Sequence, residues 1–139
     1  MTHASILILD DNPGVLSSGK LLLKRHFSRV ETARDPEELP ALLRAERFDV
    51  ILLDMNFNRS RNTGEEGLHW LKEIKKIDPD AVVVLITAFG DVSLAVQSIR
   101  AGAMDFVLKP WDNDKLLATL RAALELKTVK HENQQLRAK

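Results

Sequence analysis

Five times along the chain a short apolar run gives way to a longer amphipathic stretch, and this alternation most constrains how the chain can fold. The runs are Ser5–Leu9, Arg29–Ala33, Asp49–Leu53, Ala81–Thr87 and Met104–Leu108. Four are rich in Ile, Val or Leu with little polar alternation, the pattern of strands covered on both faces. Arg29–Ala33 is more polar and is expected at a sheet edge. Five strand-helix units in succession predict a parallel sheet with helices on both sides, an α/β doubly wound architecture.

The stretches between the runs carry helix signals. Asp11 or Asn12 can cap a first helix with Pro13 in its opening turn, running through Leu21–Leu23 to Phe27. Asp35-Pro36-Glu37-Glu38 opens a second, with its acids at the positive end of the helix dipole. Pro40 is awkward inside that helix and predicts a later start. Gly67–Ile77 and Asp91–Ala101 are the third and fourth, closed by Asp78-Pro79 and by Gly102. The fifth runs from Asp112 towards the C-terminus, becoming polar after about Leu126.

Bulk composition narrows the function. A chain of 139 residues with 45% hydrophobic content supports one core and one domain. Lys+Arg and Asp+Glu are both 20, so no net charge invites nucleic acid. The absence of cysteine removes disulfides, thiol catalysis and Cys-ligated zinc, and fits a cytoplasmic protein. Neither a signal peptide nor a membrane-spanning segment is expected. His3, His26, His69 and His131 share no metal-ligand spacing, and Trp70 and Trp111 suit helix packing better than a cofactor box.

In doubly wound folds ligands bind beyond the carboxyl ends of the strands. Asp10 and Asp11 follow the first run and Asp54 the third; Thr87 ends the fourth, and Lys109-Pro110 follows the fifth. Singly these have plainer uses, Asp11 as a cap and Lys-Pro as a turn. Together they would bring three carboxylates, a hydroxyl and an ammonium to one edge. Such carboxylates repel unless a cation compensates, and Mg²⁺ is the natural candidate. Asp54 could then attack phosphorus as a nucleophile, with Mg²⁺, Lys109 and Thr87 neutralising charge on the phosphoryl oxygens.

The segments Ile-Leu-Ile-Leu-Asp-Asp-Asn, Val-Ile-Leu-Leu-Asp, Val-Leu-Ile-Thr-Ala and Asp-Phe-Val-Leu-Lys-Pro resemble the receiver domain of bacterial two-component response regulators over about residues 4–126. The resemblance implies a flavodoxin-like sheet of order 2-1-3-4-5. It makes Asp54 the phosphoacceptor for a sensor histidine kinase, and no turnover enzyme is expected. It implies Mg²⁺ on Asp10, Asp11 and Asp54 with the Asn56 backbone carbonyl, and Thr87 and Lys109 gripping the phosphoryl group. It further implies a cis bond before Pro110, and Phe106 as a switch aromatic that turns inward when Thr87 moves. Asn56 and Phe89 would flank the path of attacking water, and apolar Phe89 implies slow self-dephosphorylation. The stretch from Asp54 to Gly67 is longer than usual, lacks the family's Met-Pro step and carries Arg59 and Arg61.

Residues 127–139 prolong the last helix and resemble the linker to the ATPase domain of enhancer-binding, nitrogen-regulator-type transcription activators. On that reading residues 1–126 are the receiver, and the ATPase and DNA-binding domains lie outside this chain. Leu126, Val129, Asn133 and Leu136 alternate at spacings of three and four, a coiled-coil seam predicting a homodimer. Two rivals differ in class. A phosphohydrolase of the haloacid-dehalogenase type wants an Asp two residues past the nucleophile, where this chain has Asn56 after Asp54 and Asn12 after Asp10. A phosphorylation-independent interaction module is disfavoured by the complete acid, Thr and Lys set.

Overall fold

The computed structural model describes the backbone of residues 2–55, 65–88 and 92–137, and side chains over these ranges apart from 65, 66, 88, 92, 94, 95 and 128–137. Along the described residues the order is β1 (Thr2–Leu9), α1 (Pro13–Leu23), β2 (Phe27–Ala33), a 3₁₀ turn (Pro36–Glu38), α2 (Leu39–Ala45), β3 (Val50–Asp54), α3 (Glu65–Ile77), β4 (Val83–Ala88), α4 (Val92–Arg100), β5 (Asp105–Lys109) and α5 (Asn113–Arg137). The strands form one parallel sheet, as the alternation of runs predicts, in the order β2-β1-β3-β4-β5 that the resemblance implies.

The uninterrupted apolar runs are explained by two cores, one on each face. Ile6 and Ile8, Val50 and Leu52, Val84 and Ile86, and Val107 point to one side, against Leu16 and Leu23 of α1 and Leu116, Leu120 and Ala123 of α5. Their neighbours Leu7 and Leu9, Ile51 and Leu53, and Val83 and Leu85 point to the other, against Leu39, Leu71 and Ile74. Period-two side-chain alternation puts successive residues on opposite faces, and both faces are covered.

β2 is an edge strand, and its charges suit that place. Arg29 pairs with Glu31 and Glu46, and its guanidinium lies 5.8 Å from the centre of the Phe48 ring. A charged, irregular edge discourages pairing with another sheet. The first helix stops at Leu23 rather than continuing to Phe27. Phe27 opens β2 instead and is 1% exposed, because an aromatic at that point gains more from the core than from a helix end. Near Pro40 a 3₁₀ turn capped by the Asp35 side chain comes first, so the proline falls in the opening turn of α2, where its missing N–H costs nothing.

Candidate functional site

Each acid reaches the site through the strand that ends beneath it. Asp10 follows β1, and its N–H donates to the carbonyl of Ala33 at 3.1 Å, tying the strand end to β2. Asp54 closes β3 and is 2% exposed, while Asp10 is fully enclosed. One carboxylate oxygen from each of Asp10, Asp11 and Asp54 lies within 4.8 Å of the others. The three acids that the sequence places at the ends of two strands, β1 and β3, therefore form one cluster.

The turn after β1 is built by Asn12. Its side-chain oxygen accepts from the N–H of Gly14 at 2.8 Å and of Val15 at 3.3 Å, so Asn12 rather than Asp11 caps α1. Its own N–H donates to Asp10 Oδ1 at 2.9 Å, fixing that carboxylate. With its side chain engaged as a cap, Asn12 is poorly placed to stand in for a general acid.

From the far edge of the sheet comes Lys109, at the end of β5. Its ammonium lies 2.7 Å from Asp10 Oδ2 and 3.2 Å from Asp54 Oδ1. Burial alone would lower its pKa; the bond to Asp10 and the negative charges of Asp54 and Asp10 outweigh that and hold the pKa above the ordinary lysine value. Lys109 is therefore a fixed positive charge at neutral pH. The following bond to Pro110 is cis. Thr87, between Asp54 and Lys109 on β4, is fully buried, and its hydroxyl has no hydrogen-bond partner among the described residues.

Among the described residues of the cluster, three carboxylates face one ammonium. An oxygen-only donor set of this kind suits a hard divalent cation such as Mg²⁺, which keeps waters and takes few carboxylates. Beside the acids, a groove of about 520 Å³ opens between the first turns of α1 and the Lys109–Trp111 segment. Trp111 forms a wall from the loop before α5 and packs beside Gly19 of α1, where a Cβ would lie 3.6 Å from its ring and 3.0 Å from Ile8 Cδ1.

Phe106 lies one strand position from Val107 and is partly buried against the core that includes Ala103 and Leu85. Asn56, Arg59, Arg61 and Phe89 lie outside the described residues. Of the proposed seam, Leu126 is partly buried against the core of its own chain, and the side chains of Val129, Asn133 and Leu136 lie outside those described. Two buried residues near the site, Met55 and Ser98, were not singled out from sequence, and nothing local marks either.

Comparison with known proteins identifies the family. Residues 6–121 match the family described as the response regulator receiver domain. The C4-dicarboxylate transport transcriptional regulatory protein DctD of Pseudomonas aeruginosa is 35% identical over 97% of this chain, and the nitrogen assimilation regulatory protein NtrX of Azorhizobium caulinodans 34% over 99%. The chain spans 28% and 29% of the length of these two relatives. Among solved structures, the N-terminal signal receiver domain of a two-component response regulator from Bacteroides fragilis is 53% identical, with TM-score 0.80 over 88% of this chain and 98% of that one. NtrX of Brucella abortus with ADP is 31% identical, with TM-score 0.87 over 98% of this chain and 29% of that one. With a matched segment reaching from β1 into α5 and a buried acid cluster at the strand ends, the chain belongs to the response regulator receiver domain family.

Proposed function

We propose that this chain is a phosphorylation-dependent switch in which Asp54 accepts a phosphoryl group from a sensor histidine kinase. The carrying observation is the meeting of buried Asp54 with Asp10, Asp11 and the Lys109 ammonium, beside a buried Thr87 hydroxyl that lacks a partner among the described residues. A carboxylate oxygen of Asp54 attacks phosphorus, the bond from phosphorus to the donor breaks, and the donor leaves with its electron pair. Lys109 offsets charge on the transferred oxygens and the Thr87 hydroxyl donates to one of them. Asp10, Asp11, Asp54 and the Asn56 carbonyl would hold Mg²⁺, which supplies further charge neutralisation.

Loss of the phosphoryl group is slow in this reading, since apolar Phe89 cannot orient water. Phe106 responds to the movement of Thr87, and the signal passes to a transcription-activating output outside this chain, as the names of the relatives suggest. Incubation with Mg²⁺ and a small phosphodonor, followed by intact-mass measurement, tests the assignment. One phosphoryl group is expected on the native chain and none on Asp54→Asn; equal labelling of the variant would overturn it.

A further inference from the structure

Four polar side chains are buried among the described residues: Asp10, Asp54, Thr87 and Ser98. Three of them meet at the acid site. The fourth, Ser98, belongs to α4, and its hydroxyl donates to the sulfur of Met55 at 3.9 Å with both residues fully enclosed. Met55 is the residue joined directly to Asp54, so the fourth buried polar group also reaches the site, one peptide away.

The backbone of Met55 is held on two sides. Its N–H donates to the carbonyl of Ile86 at 3.0 Å, continuing the pairing of β3 with β4. On the other side α3 comes so close at Gly67 that a Cβ there would stand 2.6 Å from Met55 Cα and 2.7 Å from its carbonyl oxygen. What remains adjustable is the side chain, an unbranched thioether that fills irregular space and re-forms weak contacts readily. That side chain meets α4 at Ser98, and its sulfur also lies beside Gly67 of α3, 2.9 Å from where a Cβ would stand.

Ser98 in turn holds the end of α4. Its carbonyl accepts from the N–H of Ala103 at 3.0 Å, and Gly102 N–H donates to Ile99 at 3.1 Å, with Gly102 at φ 118°. This is a Schellman closure, in which only glycine takes the left-handed position without strain. Met104 N–H then donates to Val83 at 2.8 Å, where the chain enters the strand of Phe106 and Lys109. On its outer side α4 carries Val96 and Ile99, exposed by 42% and 40%.

We infer that Met55 and Ser98 form the mechanical link that passes the state of Asp54 to α4 and to its outer apolar residues, with Met55 as a positioning residue. This rests on Asp54 being the phosphoacceptor. Displacement of the end of β3 is resisted by β4 and α3, and it is relieved through the Met55 side chain onto Ser98. The sulfur contact is long and weak, so it can be remade at a shifted position of α4 without a large barrier.

The test uses the whole chain with Mg²⁺ and beryllofluoride, a mimic of the acyl phosphate. Binding is followed by calorimetry, and α4 by amide hydrogen exchange over residues 92–103. Native protein is compared with Ser98→Ala, Ser98→Cys and Met55→Leu, the last conserving apolar volume. All variants are expected to bind the mimic within about threefold of native, since none touches it. The ligand-induced change in α4 exchange should fall to about half or less in Ser98→Ala and Met55→Leu, and return in Ser98→Cys, whose thiol also donates. An α4 response in Ser98→Ala equal to native overturns the link. Should that variant fail to fold, Met55→Leu decides on the same criterion. Native protein that binds the mimic with no change in α4 sinks this inference alone, whereas native protein that binds none sinks the assignment of Asp54.

Discussion

The Lys109 ammonium lies 3.2 Å from Oδ1 of Asp54, although their strands, β5 and β3, are separated by β4. The long lysine side chain spans the width of β4 and also reaches Asp10 at 2.7 Å. One cation thus compensates two buried carboxylates. Lys109→Met should destabilise the metal-free chain by about 3 kcal/mol, the lower end for breaking a buried pair, because the lysine is itself partly exposed. Urea denaturation with an unchanged slope would measure it; a loss near zero would mean that the two acids are compensated by other groups.

Mg²⁺ should raise stability, since the acid cluster proposed to hold it is absent from the unfolded chain. At ten times its dissociation constant the gain is about 1.4 kcal/mol. Asp11→Asn removes one of the three carboxylates, and the Mg²⁺-dependent rise in melting temperature should shrink sharply. An undiminished rise in the variant would remove Asp11 from the ion site.

Gly67→Ala tests the packing beneath Met55. The contacts a Cβ would make there, at 2.6 and 2.7 Å, are to backbone atoms that cannot rotate aside. Destabilisation of about 2 kcal/mol or more is expected from forced backbone shifts, well beyond any helix-propensity gain from alanine. A neutral or stabilising result in denaturant titration would show that α3 can slide.

Asn12→Ala separates capping from chemistry. The loss of two cap bonds at the start of α1 should cost about 1 kcal/mol. The N–H that holds Asp10 Oδ1 belongs to the backbone and survives the change. Phosphorylation by a small donor should therefore proceed at near-native yield, and its abolition would give the Asn12 side chain a part in the reaction.

The tail is expected to carry self-association. α5 continues to Arg137, 25 residues or roughly 38 Å of helix. Lys127 Nζ donates to the Asp80 carbonyl at 3.1 Å, which anchors the helix on the body just after Leu126 joins the core. A seam through Leu126, Val129, Asn133 and Leu136, as the spacing predicts, would then draw less on Leu126 than on the other three. Sedimentation of the chain cut after Lys127 should show monomer at concentrations where the intact chain dimerises; equal dimer affinity would remove the tail from the interface.

The alternation of runs and helices, the edge position of β2 and the convergence of Asp10, Asp11, Asp54 and Lys109 were legible in the sequence. Each rests on information held locally: two-faced burial leaves an unbroken apolar run, and strand polarity places whatever follows every strand at the same edge of a parallel sheet. The cap was narrowed to two residues, because Asp11 and Asn12 are equally good acceptors until the turn geometry chooses between them.

Other features needed the tertiary structure. Phe27 reads equally well as the end of a helix or the start of a strand, and the core decided for the strand. Leu126 fits a seam by spacing, yet part of its surface is buried in its own domain. Met55 and Ser98 are 43 residues apart and nothing in either neighbourhood names the other. Sequence determined the elements and the chemistry at their ends, since periodicity and residue type are local properties. Which side chains touch was decided only by folding, because contact between distant segments depends on how whole layers pack, and no short stretch of the chain encodes that.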